Sequence, residues 1–478
     1  DGSLLQGDGR MFDVLLKNAH VVDPLNGING VNDVAIVDGR IAGVDRNLGD
    51  SAKEVIDLSG LVLQPGIIDS HVHLGTMWGS PFGPKMLAMN GVTTCLDMAG
   101  PLDDILKNVP EYGAGINMAI LQFASPPFTF KTNAPSQQEM VDLIDASLEG
   151  GALGVKLLGG HYPLTPDVSS TLIKTALDRR AYVAWHAGTS EHGSNLEGMI
   201  EAVQMADGYP LHLAHINAYC RGAIKNDIEE ANIAIDLLKQ NPNIFCESYI
   251  SPKNGTRLTC DDQGRIQSKV TGNCLRHFGF SEDRDGVRKA LLAGKAFVVY
   301  DAGGYSDLCT GEDALKRWEA AGSDVGGSFN INPPIPRILL AQAKRDDGSF
   351  VVDAISTDGG CIPRNVIISQ GLSLVKLDVL TLSEFAQKTS LNPARMLRLT
   401  NKGHLSVGAD ADITVYDYAT QTPKASFVAG KKVLWNGQVV AKGATVICTE
   451  RGVHAIEALG MKAIVVDPGR QIERAKAM

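Results

Sequence analysis

The feature that most constrains the fold is an alternation of short apolar runs with helix-like segments through the middle of the chain. Strands that alternate with helices form βαβ units, and such units lie side by side in a parallel sheet. The predicted strands are residues 67–71, 93–98, 117–123, 154–158, 181–186, 211–215, 244–248 and 354–358. Eight such units predict an α/β fold of the (β/α)8 barrel type over residues 65–398.

The first predicted strand ends in two histidines, His71 and His73, after a Pro65-Gly66 turn. Residues at positions i and i+2 of a strand lie on the same face, so both imidazoles point to one side. Two neutral imidazoles in that arrangement suit one divalent metal ion. A purely structural pair on a buried strand would need other hydrogen-bond partners for both rings.

Four later strands end in residues of compatible chemistry, namely Lys156, His186, His215 and Asp358. The carboxyl ends of barrel strands converge on one face, where active sites form. Lys156 lies within an apolar run, so it must reach solvent, pair with an anion or be neutral. His212, three residues before His215, is predicted to face the other side, either as a core histidine or as one that supports the ligands.

The ordered set resembles the metal-ligand set of the amidohydrolase superfamily, in its binuclear branch of hydantoinases and N-acyl-amino-acid deacylases. The resemblance covers about residues 11–446, and the matching positions are His71, His73, Lys156, His186, His215 and Asp358. It implies two divalent metal ions, with zinc expected, and a Lys156 carboxylated by carbon dioxide that bridges them. It also implies that Asp358 is both a ligand and the proton shuttle between a metal-bridging hydroxide and the leaving nitrogen.

The function that this resemblance implies is hydrolysis of an amide C–N bond in a small molecule, either an N-acyl amino acid or a cyclic amide. A metal lowers the pKa of bound water to about 7, and a second metal can hold the carbonyl oxygen as charge develops on it. Deaminases of nitrogen heterocycles are an alternative, but those relatives lack the lysine and carry a glutamate near strand six, which residues 211–215 do not offer. A phosphotriester or lactone hydrolase is a further alternative. A binding or scaffold protein built on an inactive barrel is the non-enzyme alternative. Such a barrel would be expected to have lost ligands, whereas all six are present in this sequence.

The deacylase branch resembles this chain most around residues 149–162, and it uses a cysteine near strand two as a metal bridge. The corresponding candidate is Cys95, but the local match is imperfect and that branch has no lysine where Lys156 stands. A small core thiol is the better interpretation of Cys95.

Candidate substrate contacts follow the ligand strands. His161 and Tyr162 come after the fourth strand, where a phenol could stabilise an oxyanion. Asn217 and Arg221 come after the sixth strand, and Arg221 could bind a substrate carboxylate, although a solvated loop arginine fits the sequence equally well. Arg364, after the eighth strand, is a weaker candidate.

Both flanks of the barrel are rich in short strand-like runs, and Asn436-Gly437 is a strong hairpin signal. Residues 11–64 and 399–450 are therefore predicted to form one small β-sandwich domain. The long connection at 249–350 is predicted to shape the substrate pocket. Residues 451–478 form a C-terminal tail with an amphipathic stretch, which would cover either a neighbouring subunit or its own.

Composition limits the partners. The formal net charge of −10 argues against nucleic acid or an acidic membrane surface. No apolar run approaches the ~20 residues of a membrane-spanning helix. Eight cysteines without a CxxC pair are typical of reduced thiols, so we expect a cytoplasmic protein. We also expect a homo-oligomer, and the polar residues 1–10 are either an added segment or a natural extension.

Overall fold

The computed structural model describes residues 11–469 and has a parallel barrel at its centre. The predicted residues 1–10 extension and residues 470–478 of the predicted tail lie outside this range. The eight barrel strands are Ile67–His73, Val92–Ala99, Ala114–Ala124, Gly154–Leu158, Tyr182–His186, Leu211–Leu213, Ile244–Tyr249 and Ala354–Ser356. Each pairs in parallel with the next, as the sequence predicts.

The eighth strand closes the barrel in two pieces. Ala354–Ser356 pairs with the seventh strand, and Gly359–Gly360 pairs with the first. Thr357 and Asp358 form the break, and Asp358 has a left-handed backbone with φ of 51°. The break is held by Asp69, whose Oδ1 accepts the backbone N–H of Thr357 at 3.1 Å. The barrel is therefore closed at the position of a predicted ligand.

Helices surround the barrel. Their bounds are Gly83–Met89, Leu102–Tyr112, Gln137–Glu149, Pro166–Asp178, Leu196–Ala206, Asp227–Gln240, Ile367–Lys376, Leu382–Ala386 and Asn392–Met396. Gln137–Glu149 begins at a capping box, in which Ser136 and Glu139 bond each other's backbone N–H, and its start is therefore readable from sequence. Leu382–Ala386 continues as a buried π-helical turn, Gln387–Leu391.

The long connection between the seventh and eighth strands folds into a small α/β unit. Its strands are Thr256–Arg257, Ala296–Asp301, Ser306–Cys309 and Gly326–Phe329, and its helices are Lys269–His277, Arg284–Leu292, Gly311–Ala320 and Pro334–Gln342. It has its own apolar core, with Trp318 fully buried at the centre. The Trp318 indole N–H donates to the carbonyl of Leu258 at 3.0 Å.

Both flanks contribute to one nine-stranded sheet, as the sequence predicts. Its strands are Phe12–Asp23, Ile28–Val37, Arg40–Asp45, Ala52–Asp57, Val62–Pro65, Ile413–Asp417, Thr422–Val428, Lys431–Trp435 and Gln438–Val439. The flanks meet where Val62–Pro65 pairs antiparallel with Ile413–Asp417. Asn436 and Gly437 have φ of 50° and 78°, which is the mirror-image turn that an Asn-Gly hairpin favours.

The strand Gly443–Cys448 lies outside that sheet, although the predicted domain limits place 399–450 in the small β-domain. It pairs in parallel with the first half of the third barrel strand, from Ala114 to Ala119. That half is open because the fourth barrel strand begins only opposite Leu121. Helix Val453–Ala458 and strand Lys462–Val465 follow it. Residues 443–465 thus cover the barrel of their own chain.

Within residues 11–469, none of the helices is long and apolar enough to cross a bilayer.

Candidate metal centre

All six predicted ligands line one cavity at the carboxyl ends of the barrel strands. The strand geometry explains this convergence, because each side chain stands at the end of its own parallel strand. The inserted unit contributes Asn254, Gly255 and Val270 to the lining of the cavity.

The first group of donors comprises His71, His73 and Asp358. Oδ1 of Asp358 lies 2.8 Å from Nε2 of His73 and 3.4 Å from Nε2 of His71. Metal–ligand bonds of about 2.1 Å place neighbouring donors about 3 to 3.5 Å apart. These three side chains are buried, and their ligand atoms are close enough together to share one ion.

The second group is His186 and His215. Nδ1 of His186 lies 3.2 Å from Nε2 of His215, and the rings are nearly perpendicular, with centroids 4.3 Å apart. Burial lowers the pKa of both imidazoles well below the usual value, so both are neutral. Within residues 11–469, the remaining ring nitrogen of His215 and Nδ1 of His73 are buried without a hydrogen bond. Neutral, under-satisfied imidazoles of this kind fit a metal site.

Lys156 lies between the two groups and is 1% exposed. Its Nζ is 3.3 Å from Nε2 of His71 and 3.2 Å from Sδ of Met98. Among the described ion pairs, none gives this lysine a carboxylate at contact distance. Burial lowers the pKa of Lys156 to about 8, against the attraction of Asp358 and Glu247. Burial therefore makes the amine of Lys156 easier to deprotonate than an ordinary lysine, and the described ion pairs do not support pairing with an anion.

Asp358 is paired with Arg364, which is 2% exposed. Nη2 of Arg364 lies 2.7 Å from Oδ2 of Asp358, while Nη1 donates to the carbonyl of Lys253 at 3.1 Å. Burial raises the pKa of Asp358, but Arg364 and the imidazoles of His71 and His73 hold it well below its usual range. Arg364, a weak candidate for a substrate contact in the sequence, thus forms an ion pair with Asp358.

Two of the four predicted substrate contacts line the cavity. His161 is buried there, with Nδ1 3.1 Å from Oγ of Ser268, and burial lowers its pKa to about 3. Arg221 lines the rim, where Nε donates to Oδ1 of Asn332 at 2.8 Å and Nη2 donates to the Tyr249 hydroxyl at 2.9 Å. Both groups can therefore face a substrate.

The other two candidates lie differently. Tyr162 is not among the lining residues, and its ring packs edge-on against Phe128 at 5.1 Å. Oδ1 of Asn217 accepts the backbone N–H of Tyr249 at 3.0 Å, so that the amide braces the end of the seventh strand. Cys95 is buried in the barrel core, away from the cavity.

One residue at the site was not identified from the sequence. Glu247, in the seventh strand, is fully buried and lies 2.7 Å from Nδ1 of His71. Its only sequence signal is an acidic residue inside the run Ile244–Tyr249. His212, the predicted core histidine, does not line the cavity: its Nδ1 lies 2.9 Å from the Tyr182 hydroxyl, and its Nε2 lies 3.8 Å from Oε1 of Glu247.

Comparison with known proteins agrees with this geometry. Residues 334–446 match the sequence profile of the Amidohydrolase family. A dihydroorotase of Elusimicrobium minutum is 24% identical, over 85% of this chain and 88% of that protein. An allantoinase of Deinococcus radiodurans is also 24% identical, over 89% of this chain and 96% of that protein. The chain is therefore similar to the Amidohydrolase family in its C-terminal part and to these two enzymes over most of its length.

Among solved structures, the chain resembles the N-acyl-D-glutamate deacylase of Bordetella bronchiseptica, crystallised with zinc and a phosphonate inhibitor. The TM-score is 0.66 at 16% identity, over 91% of this chain and 98% of the deacylase. This likeness confirms the predicted fold, a TIM-like barrel with a β-rich domain.

Proposed function

We propose that this protein hydrolyses an amide C–N bond of a small molecule, an N-acyl amino acid or a cyclic amide, with two divalent metal ions. The observation that carries this proposal is the convergence in one cavity of His71, His73 and Asp358 with Lys156 and the His186–His215 pair. The relatives support the same function, since their names are those of enzymes that open cyclic amides or remove acyl groups.

The donor set suits two ions. His71, His73 and Asp358 would hold one, and His186 and His215 the other. A carboxylated Lys156 would supply an anionic donor between them. Mixed imidazole and carboxylate donors favour zinc or a similar divalent ion. When bound, the ions would supply an activated water and a polarised carbonyl.

The side chains of the chain itself would move the proton and orient the substrate. Asp358 would accept the proton of the attacking water and deliver it to the leaving nitrogen, while Arg364 holds its second oxygen in place. Arg221 at the rim would bind a carboxylate of the substrate through its remaining N–H groups. Neutral His161 would contact the polar group next to the scissile bond.

The test combines metal analysis with an activity screen. Protein purified without chelator should contain about two equivalents of divalent metal, and it should hydrolyse one class among N-acyl amino acids, hydantoins, dihydroorotate and allantoin. His186→Asn should lose metal and activity. His20→Asn is the matched control, because that histidine lies in the β-domain, where its Nε2 is 2.7 Å from Oδ1 of Asn29. Folded protein that holds no metal and stays inactive with added zinc, manganese or cobalt would refute the proposal.

We further propose that the enzyme is located in the cytoplasm. All eight cysteines are free thiols in the structure, which fits the proposed reducing cytoplasm. We also propose a homo-oligomer, to be tested by light scattering. For the domain limits, we keep 65–398 for the barrel and 11–64 for the first part of the β-domain. We shorten its second part from 399–450 to 399–442, because Gly443–Cys448 pairs with the barrel.

A further inference from the structure

Glu247 connects four strands of the barrel interior. It lies in the seventh strand, and its Oε1 is 2.7 Å from Nδ1 of His71 and 2.6 Å from the backbone nitrogen of His215. Oε2 accepts the hydroxyl of Ser356 at 2.5 Å. The carboxylate therefore contacts the first strand, the end of the sixth and the eighth, and it is 0% exposed.

These contacts dictate the protonation of His71. Both oxygens of Glu247 accept hydrogen bonds, from the His215 backbone N–H and the Ser356 hydroxyl, so the short contact at Nδ1 of His71 places the proton on Nδ1. Nε2 of a neutral ring then carries the lone pair. This Nε2 faces the cavity, 3.3 Å from Nζ of Lys156 and 3.4 Å from Oδ1 of Asp358.

The other histidine ligands have no comparable support. Nδ1 of His73 and Nδ1 of His215 are buried without a hydrogen-bond partner among residues 11–469. Nε2 of His186 meets only a hydroxyl, Oγ of Ser194, at 2.7 Å. The only carboxylate that the described ion pairs place on the outward nitrogen of a histidine ligand is thus Glu247 on His71.

We propose that Glu247 is a positioning residue that locks His71 in the Nδ1–H tautomer and aims its Nε2 lone pair into the metal cavity. A carboxylate on the far nitrogen of a histidine ligand also makes the ligand more basic, and loss of such a partner typically lowers metal affinity 10- to 100-fold. The tautomer follows from the contacts alone, whereas the effect on affinity rests on the proposed metal-dependent function.

The tautomer is tested on metal-free protein by nitrogen-15 NMR with labelled histidine. His71 is assigned by the signals that disappear in His71→Asn. The expected result is a protonated Nδ1 and a bare Nε2. A protonated Nε2 would overturn the inference, whether or not the protein binds metal.

The effect on affinity is tested by competition with a chromophoric zinc chelator. Glu247→Gln keeps the shape but replaces the anion by a neutral amide, so one zinc equivalent should bind about 10- to 100-fold more weakly while the other is retained. Ser356→Ala is the matched control, because it removes a donor to Glu247 and leaves the contact with His71. Unchanged zinc affinity in Glu247→Gln, with only a lower melting temperature, would reduce Glu247 to a structural residue. Wild-type protein that binds no zinc would refute the proposed function, and the tautomer would still decide the role of Glu247.

Discussion

At the scale of single residues, Lys156 lies in an environment that is poorly suited to a charged amine. It is 1% exposed, and its Nζ contacts a ring nitrogen and a thioether. Lys156→Ala should lose metal and activity, because the proposed anionic donor between the two histidine groups is removed. Short carboxylic acids added with zinc should restore part of both. Elemental analysis and turnover measure this, and a fully metallated, active Lys156→Ala would contradict the carboxylated bridge.

The lowered pKa of Lys156 gives a pH prediction for activation. Carbon dioxide adds to the neutral amine, and the neutral fraction rises as pH rises through about 8. Burial keeps His71, His186 and His215 neutral throughout this window, since their pKa values are lowered well below the usual value. At a fixed concentration of dissolved carbon dioxide, activation of metal-free protein by zinc should therefore accelerate between about pH 6.5 and pH 8.5. A flat rate profile would speak against carboxylation.

Asp358 is expected to act on turnover more than on stability. Asp358→Asn keeps the shape but removes the base, so kcat should fall about 100-fold or more. Asp353→Asn is the control, because Asp353 is buried lower in the same strand and accepts the backbone N–H of Cys246 at 3.0 Å. That variant should lower the melting temperature with near-normal kcat per folded molecule. Near-wild-type kcat in Asp358→Asn would remove Asp358 from the mechanism.

At the scale of elements, the break in the eighth strand depends on one buried pair. The Thr357 hydroxyl donates to Oδ2 of Asp69 and accepts the backbone N–H of Gly359 at 3.0 Å. Thr357→Val should cost about 1 to 3 kcal/mol of unfolding free energy, because Asp69 is left short of a donor. It should also lower kcat about 10-fold or more, since Asp358 is displaced. Thr357→Ser keeps the hydroxyl and should behave as wild type, and equal losses in both variants would show that the hydroxyl is not the group responsible.

The π-helical turn carries a buried lysine that makes stability depend on pH. Lys388 is 0% exposed and donates to the carbonyl of Val352 at 2.6 Å, and burial lowers its pKa to about 7. Between about pH 7 and pH 10.5 the unfolded chain binds more protons at this site than the folded one, so stability rises with pH. The slope is at most about 1.4 kcal/mol per pH unit. Lys388→Met should lose this rise in urea unfolding from pH 7 to 9, and parallel profiles for the two proteins would contradict the shift.

At the scale of the whole molecule, the inserted unit has a core separate from the barrel. Trp318→Ala removes its central side chain and should cost about 3 to 5 kcal/mol, the usual range for a buried aromatic. Hydrogen exchange should then increase across residues 256–329, while the barrel strands stay protected. Because Asn254, Gly255 and Val270 line the cavity, KM should rise as well. Uniform loss of protection in barrel and insertion would show that the two unfold together.

The sequence predicts the features that depend on local pattern. The barrel strands, the Asn436-Gly437 turn and the convergence of the six candidate ligands follow from apolar runs, turn residues and the parallel arrangement. It does not predict contacts that depend on register between distant strands. Glu247 contacts His71 across the barrel, and Arg364 pairs with Asp358. Neither contact produces a periodic pattern in the sequence. The pairing of Gly443–Cys448 with the barrel likewise depends on where the fourth strand begins.

The sheet made from both flanks has a consequence for how the protein is made. Leu63 pairs with Val415, a partner about 350 residues later in the chain. At a synthesis rate of about 5 to 20 residues per second, this partner emerges roughly 20 to 70 seconds afterwards. The first flank must wait that long on the ribosome with an open strand edge at Val62–Pro65, and open edges recruit other chains. In a cell that translates this message densely, neighbouring nascent chains would compete for the same edge, so yield would depend on translation speed as well as on stability.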